Sequence, residues 1–214
     1  MLKADFHIHT QYSMDCNTPL EGIIQRCLDT GINCIAIADH DAIEGALKMT
    51  GMAPFPVIVA EEILTPQGEI MGMFLKERIN SGLSIEKAIT EIRTQDGLVC
   101  LPHPFDPFRG LRLDISALEE MKEQIDIIEV FNARSPFPWP ETKARNFAAK
   151  FNISRSAGSD AHSIDEIGNT YVEMPEFRGK DDFLQALGKG KIHQHRSSFL
   201  VHFYSTWAKI KNAF

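Results

Sequence analysis

Short apolar runs recur along this chain, and nearly every one ends in a histidine or an acid. Residues 2–8 run into His7 and His9, residues 33–38 into Asp39-His40-Asp41, and residues 57–60 into Glu61-Glu62. Residues 98–101 lead to Pro102-His103-Pro104, residues 125–131 to Asn132-Ala133-Arg134, and residues 153–157 to Gly158-Ser159-Asp160-Ala161-His162. Runs this short and this apolar predict buried strands. Between them lie segments with helical periodicity, such as Leu20, Ile23, Ile24, Cys27 and Leu28 after the Thr18-Pro19 start signal and before the Gly31 stop. Further helices are predicted over residues 43–52, from the Ser84 cap to residue 95, over 115–123 and over 141–151. The turn Thr65-Pro66-Gln67-Gly68 precedes another strand at 69–75.

Alternation of strand and helix predicts a parallel sheet covered by helices. About seven such steps fit an α/β fold of the barrel kind: a distorted seven-stranded (β/α) barrel, one domain over residues 1–214. In closed barrels, functional residues gather at the C-terminal ends of the strands. His40, Glu62, His103, Asn132, Asp160 and His162 all fall there, and His7 and His9 end the first strand. Histidines two apart on a strand share a face, so His7 and His9 can converge on one metal ion.

The formal charge is −7, and no basic stripe is evident. The expectation is therefore a small phosphorylated substrate rather than a long nucleic-acid surface. No apolar run approaches the ~20 residues of a membrane span. No secretory signal is evident, and a cytoplasmic location is expected. The cysteines form no C-x-x-C pair; Cys27, Cys34 and Cys100 are expected as buried thiols, with Cys16 more exposed. Neither Gly-x-Ser-x-Gly nor a P-loop is present, so serine-hydrolase and NTPase chemistry find no support.

Taken together, Asp5-Phe6-His7-Ile8-His9-Thr10 with Tyr12-Ser13, Ala38-Asp39-His40-Asp41, Glu62-Ile63, Pro102-His103-Pro104 and Gly158-Ser159-Asp160-Ala161-His162 resemble the PHP (polymerase and histidinol phosphatase) family. Glu-Val-Phe-Asn-Ala-Arg at 129–134 and Ser-Asp-Ala-His-Ser at 159–163 are similar to small standalone members. The resemblance implies a phosphoesterase that uses two or three divalent ions (Zn, Mn or Fe) and a metal-activated water. It implies His7 and His9 as ligands of a first metal closed by Asp160, Glu62 as a bridge, and His103 on a second metal. Asp15, His40 and His162 would hold a third. Asn132 stands where many relatives carry histidine and would be a weaker, oxygen-donating ligand.

Other residues carry lesser expectations. Glu61, next to Glu62 on a strand, must face away. Asp39 either caps a helix or orients an imidazole, and Asp41 reads as an N-cap. Arg134 and Arg109 could grip a phosphate. Asp160 or His162 could move a proton to the leaving group. Phe105, Phe108, Phe137 and Trp139 pack in the loops or line a pocket. His193 and His195 repeat the H-x-H spacing, but with Lys189, Lys191 and Arg196 around them they read as surface residues. Residues 199–214 predict an amphipathic helix packed on the barrel. Two rival functions are an amidohydrolase-like C–N hydrolase and a non-catalytic metal-bound module.

Overall fold

A computed structural model describes residues 1–197. The predicted helix at 199–214 lies outside the described residues. Nine strands, β1 (Leu2–Ile8), β2 (Cys34–Ile37), β3 (Val57–Thr65), β4 (Gly68–Met73), β5 (Leu98–Leu101), β6 (Ile127–Asn132), β7 (Ser154–Gly158), β8 (Tyr171–Met174) and β9 (Lys191–His193), form one sheet. Their order is β7-β6-β5-β4-β3-β2-β1-β8-β9. Around it lie α1 (Leu20–Thr30), α2 (Glu44–Met52), α3 (Ile85–Thr94), α4 (Ile115–Glu120), α5 (Pro138–Phe151) and α6 (Lys180–Gly188).

The fold class holds, but two features differ from expectation. The sheet has nine strands among the described residues, not seven, because β8 and β9, joined through α6, add an antiparallel pair beside β1. It is also mixed: β1–β2, β2–β3, β5–β6 and β6–β7 are parallel, while β3–β4 and β4–β5 are antiparallel. The Thr65–Gly68 turn is the reason. A turn that short can join only antiparallel neighbours, and it extends β3 well past Ala60. The sheet nearly closes where the end of β1 meets the segment after β7: the His9 amide donates to Ala161 (3.0 Å) and the Ala161 amide to His7 (3.3 Å).

Alternation along the strands sorts side chains into two sets. Leu2, Ala4 and Phe6 of β1 point inward with Ala36, Ala60, Met71 and Cys100. Phe183 of α6 joins this interior, edge-on to Phe6 at 5.4 Å between ring centroids. Outside, Ile35 and Ile37 pack under α1 with Ile23 and Cys27, and Val99 packs with Ile89 and Ile92 of α3. β1 carries one extra residue against β2 between Asp5 and Ile8. This bulge reverses its parity, so Ile8 joins the outer layer and His7 and His9 face the interior.

Candidate metal centre

The polar side chains at the inner ends of the strands form three interlocking groups. His7, His9 and Asp160 make one; His7, Glu62 and His103 a second; His9, Asp15, His40 and His162 a third. Within each, one potential donor atom per residue lies within 4.8 Å of the others. His7 and His9 belong to two groups each and join all three. Glu62 sits at the hub: its Oε2 is 3.2 Å from His7 Nε2, 3.4 Å from His9 Nε2 and 3.5 Å from His40 Nδ1, and its Oε1 is 3.1 Å from His103 Nε2. Asp160 Oδ1 is 3.3 Å from His9 Nε2, and Asp15 Oδ2 is 3.2 Å from His162 Nε2 and 3.5 Å from His40 Nε2.

The backbone is shaped for this convergence. His103 and Asp160 both occupy the left-handed region, with φ of 26° and 53°. Each non-glycine residue there costs about 1 kcal/mol, which packing and side-chain partners must offset. Gly158 lies so close to His7 Cβ and Glu129 Oε1 that a side chain there would collide with both.

Burial and charge split the histidines. Burial is the largest influence on His9 and, with His162, His40 and His7 around it, lowers its pKa to about 3. Burial also opposes a charge on His7, but the carboxylates of Glu62, Asp160 and Glu129 prevail and raise its pKa well above normal. For Glu62 and Asp160, burial works against ionisation, yet the neighbouring cations hold both pKa values well below the usual range: His7 and His40 for Glu62, Arg109 and His7 for Asp160. Both ring nitrogens of His9, fully buried, lack a hydrogen bond of good geometry. A buried polar atom left so is costly. A ring surrounded by imidazole nitrogens and carboxylate oxygens fits a divalent cation, the partner that such donors share.

The remaining expected residues take more varied places. Asp39 is not the N-cap of α2; it accepts from the Thr10 amide (2.5 Å) and hydroxyl (2.7 Å), pinning the loop after β1. Asp41 is not an N-cap, since α2 begins after Ile43; it has a φ of 50° and accepts from the Leu64 amide. Glu61 faces away and accepts from the Ile79 amide. Cys16, expected to be exposed, is buried beneath the third group, its thiol donating to the His9 and His162 carbonyls. Arg109 donates to Asp160 Oδ2 and reaches the surface at the mouth of the site. Arg134 is buried, 3.5 Å from Glu166 and from the Asp160 carbonyl oxygen. Asn132 donates through Nδ2 to Glu129 (2.9 Å) and Asp160 (3.2 Å), while its Oδ1 accepts from the Arg134 amide (3.0 Å). His193 lies on β9 against Glu173.

Two carboxylates of the site went unassigned from sequence. Glu129 of β6 accepts from the His103 amide (2.8 Å) and stands 3.1 Å from His7 Nδ1, so it fixes which nitrogen of that ring faces the centre. Glu69 of β4 brings Oε2 to 3.5 Å from His103 Nε2. Period-two alternation through a known motif would have found the first, and the pairing arithmetic of the hairpin the second.

A nearly closed α/β barrel whose strand ends converge on linked histidine–carboxylate groups has the form of a metal-centre scaffold. The chain belongs to the PHP family: residues 5–132 match the PHP domain, and residues 138–192 match the PHP-associated region. A Methanocaldococcus jannaschii protein described only as uncharacterised is 35% identical over 82% of this chain and 71% of its own length. In structure, the chain is similar to a two-domain Bacteroides vulgatus protein described as containing a predicted PHP-like metal-dependent phosphoesterase. That match has a TM-score of 0.73 and 17% identity, and covers 91% of this chain and 65% of the other. It is also similar to endonuclease Q of Pyrococcus furiosus, with a TM-score of 0.63 and 17% identity over 89% of this chain and 57% of the other.

The last likeness corrects one expectation. Endonuclease Q has also been captured on a 27-mer duplex with an abasic lesion at its active site (TM-score 0.62, 16% identity, 87% of this chain and 56% of that one). A protein that contains a barrel of this shape can therefore take a duplex as substrate, and a net charge of −7 with no basic stripe is no ground for excluding nucleic acid. Among the described residues, no helix is long and apolar enough to cross a membrane.

Proposed function

We propose that this chain hydrolyses a phosphoester with water activated by two or three divalent ions (zinc, manganese or iron). The observation that carries the reading is the linkage of three donor groups through His7 and His9, with neither His9 ring nitrogen in a hydrogen bond of good geometry. His7, His9 and Asp160 would hold one ion, Glu62 and His103 with His7 a second, and Asp15, His40 and His162 with His9 a third. Such ions supply a water of near-neutral pKa and a clamp on the phosphoryl oxygens.

The protein's own side chains do the rest. Glu62 keeps the groups in register by presenting one oxygen to His103 and the other to His7, His9 and His40. Arg109 and Asn132 hold Asp160 Oδ2, which leaves Oδ1 for the centre. Arg109, at the mouth, takes the phosphate-gripping role; Arg134, buried against Glu166, steadies the Asp160 loop instead. Asp160 is held ionised by Arg109 and is a poor proton donor; His162, with Nδ1 2.8 Å from the Asp160 carbonyl oxygen and Nε2 facing the third group, has no proton to spare for the leaving group either.

The test is phosphate or product release by chelated protein reloaded with zinc, manganese, iron or magnesium. The panel sets nucleotides and phosphorylated metabolites beside 5′-phosphorylated and abasic duplex DNA. Activity that vanishes on chelation and returns with one ion is the expected result. Tight metal binding with no release from any of these substrates would overturn the reading.

A further inference from the structure

Between α5, α6 and the two edge strands β7 and β9 lies a cavity of about 460 Å³. It sits on the outer side of β6. Val130 in its wall packs with the outer layer, while the preceding Glu129 faces inward to His7. The metal centre is thus on the other side of the strand. Arg145, Asn152, Ser154, Arg155 and Gln194 supply the polar lining, and none of the described lining residues is an acid. In a chain of net charge −7, this is a local excess of positive charge.

The fold leaves both arginines short of acceptors. Arg145 Nη2 is shielded from solvent and has no hydrogen bond. Its ion pair among the described residues is with Glu141 Oε2 at 3.9 Å, and that oxygen already accepts from Arg196 at 2.9 Å. Arg155, exposed near the start of β7, forms no ion pair among the described residues. A shielded guanidinium nitrogen without an acceptor is costly, so an anion arriving there is stabilised. The C-terminal ends of α5 and α6 also reach the cavity, at Asn152 and Gly188. Each such end carries roughly half a negative charge, which two full positive charges outweigh. The rest of the wall is apolar, with Ile153, Leu187 and Ile192 beside Val130.

We propose that this cavity binds a small organic phosphate of about mononucleotide size. The planar forks of Arg145 and Arg155 match phosphate oxygens. The less polar part of the ligand lies against the apolar wall, and Asn152, Ser154 and Gln194 offer amide and hydroxyl groups to its remaining polar atoms. The volume is within the roughly 300–1,000 Å³ usual for small-molecule sites. The site is separate from the metal centre and does not depend on the metal reading.

The test uses the full chain, stripped with chelator so that no metal binds or hydrolyses the probes, with its fold checked by circular dichroism. It is titrated calorimetrically with adenosine 5′-monophosphate, adenosine and inorganic phosphate. The nucleotide should bind one per chain, at least about tenfold more tightly than either of its parts, since only it uses both the arginines and the apolar wall. R155Q and R145Q should each weaken it about tenfold or more. R155K, which keeps the charge but not the fork, should retain part of the affinity. R109A should bind as wild type does. The nucleotide should raise the Tm of wild type more than that of R155Q, whose own Tm without ligand should be unchanged because the side chain is exposed. Wild type that binds the nucleotide no more tightly than about 1 mM would overturn the site. So would an affinity unchanged in both R155Q and R145Q, or one lost in R109A instead, which would put the ligand at the mouth of the metal centre. Inorganic phosphate bound as tightly as the nucleotide would overturn the organic class.

Discussion

The chain carries two H-x-H pairs, and they meet opposite fates. His7 and His9 end a strand in the middle of the sheet, buried and facing six carboxylates or imidazoles from elsewhere in the chain. His193 ends β9 at the sheet's edge; its ring stacks on Tyr171 at 4.6 Å and lies 3.0 Å from Glu173 Oε2. The Thr170 hydroxyl donates to the carbonyl of His195. The same spacing is a candidate metal site in one place and edge packing in the other. What differs is whether other strands end at the same point.

The largest effect should come from His7→Ala. It removes a donor from two groups at once, so it should cost more bound metal than His103→Ala, and cut activity more than about a hundredfold, beyond the loss of an orienting partner. Metal counting with circular dichroism checks this; full metal content in folded H7A would erase the contrast between the pairs. Next, Arg109→Ala removes a charged hydrogen bond worth about 1.5–3 kcal/mol, and kcat/KM should fall roughly ten- to hundredfold, mainly through KM. An unchanged KM would take Arg109 out of the substrate site.

A subtler effect concerns pH in the chelated protein. The His9 pKa is lowered from 6.5 to about 3, so the unfolded chain takes up a proton on acidification before the folded chain does. Its contribution to stability is present above the unfolded value and is lost as pH falls from 6.5 toward 3. His7, raised, runs the other way: its contribution is present below 6.5 and lost as pH rises through its folded value. Urea unfolding of His9→Asn and His7→Asn across pH should show wild-type-minus-variant slopes of opposite sign; slopes of the same sign would refute the split. The smallest effect belongs to His193→Ala, which should cost about 0.5–1.5 kcal/mol of stacking and leave the metal count unchanged.

The pattern of strand ends was open to reading from sequence because each candidate ligand sits just past an apolar run, and the runs are strictly local signals. His40, Glu62, His103, Asp160 and His162 needed no knowledge of pairing. The β8–β9 pair left no such mark: Tyr171–Met174 and Lys191–His193 are short, half-exposed segments whose strand character comes from pairing, β8 with β1 and β9 with β8. Glu69 and Glu129 were hidden for a related reason. A buried acid inside a strand is recognisable only once its cross-strand neighbours are known. Cys16 and Asp41 were misplaced because loop burial depends on the third group forming over one and on Leu64 reaching the other.

The seam that nearly closes the barrel joins the two most distant parts of the site. Asp5 accepts from the Ser159 amide, 154 residues along the chain, and the strand bearing His7 and His9 meets Ala161 there. During synthesis the first two histidines leave the ribosome long before Asp160 and His162 exist to face them. On the metal reading proposed above, capture would come late in biogenesis, after a long-range closure of the kind that slows folding. A polypeptide cut short before residue 160 would carry histidines but only half a cage, a built-in check that ties loading to completion of the barrel.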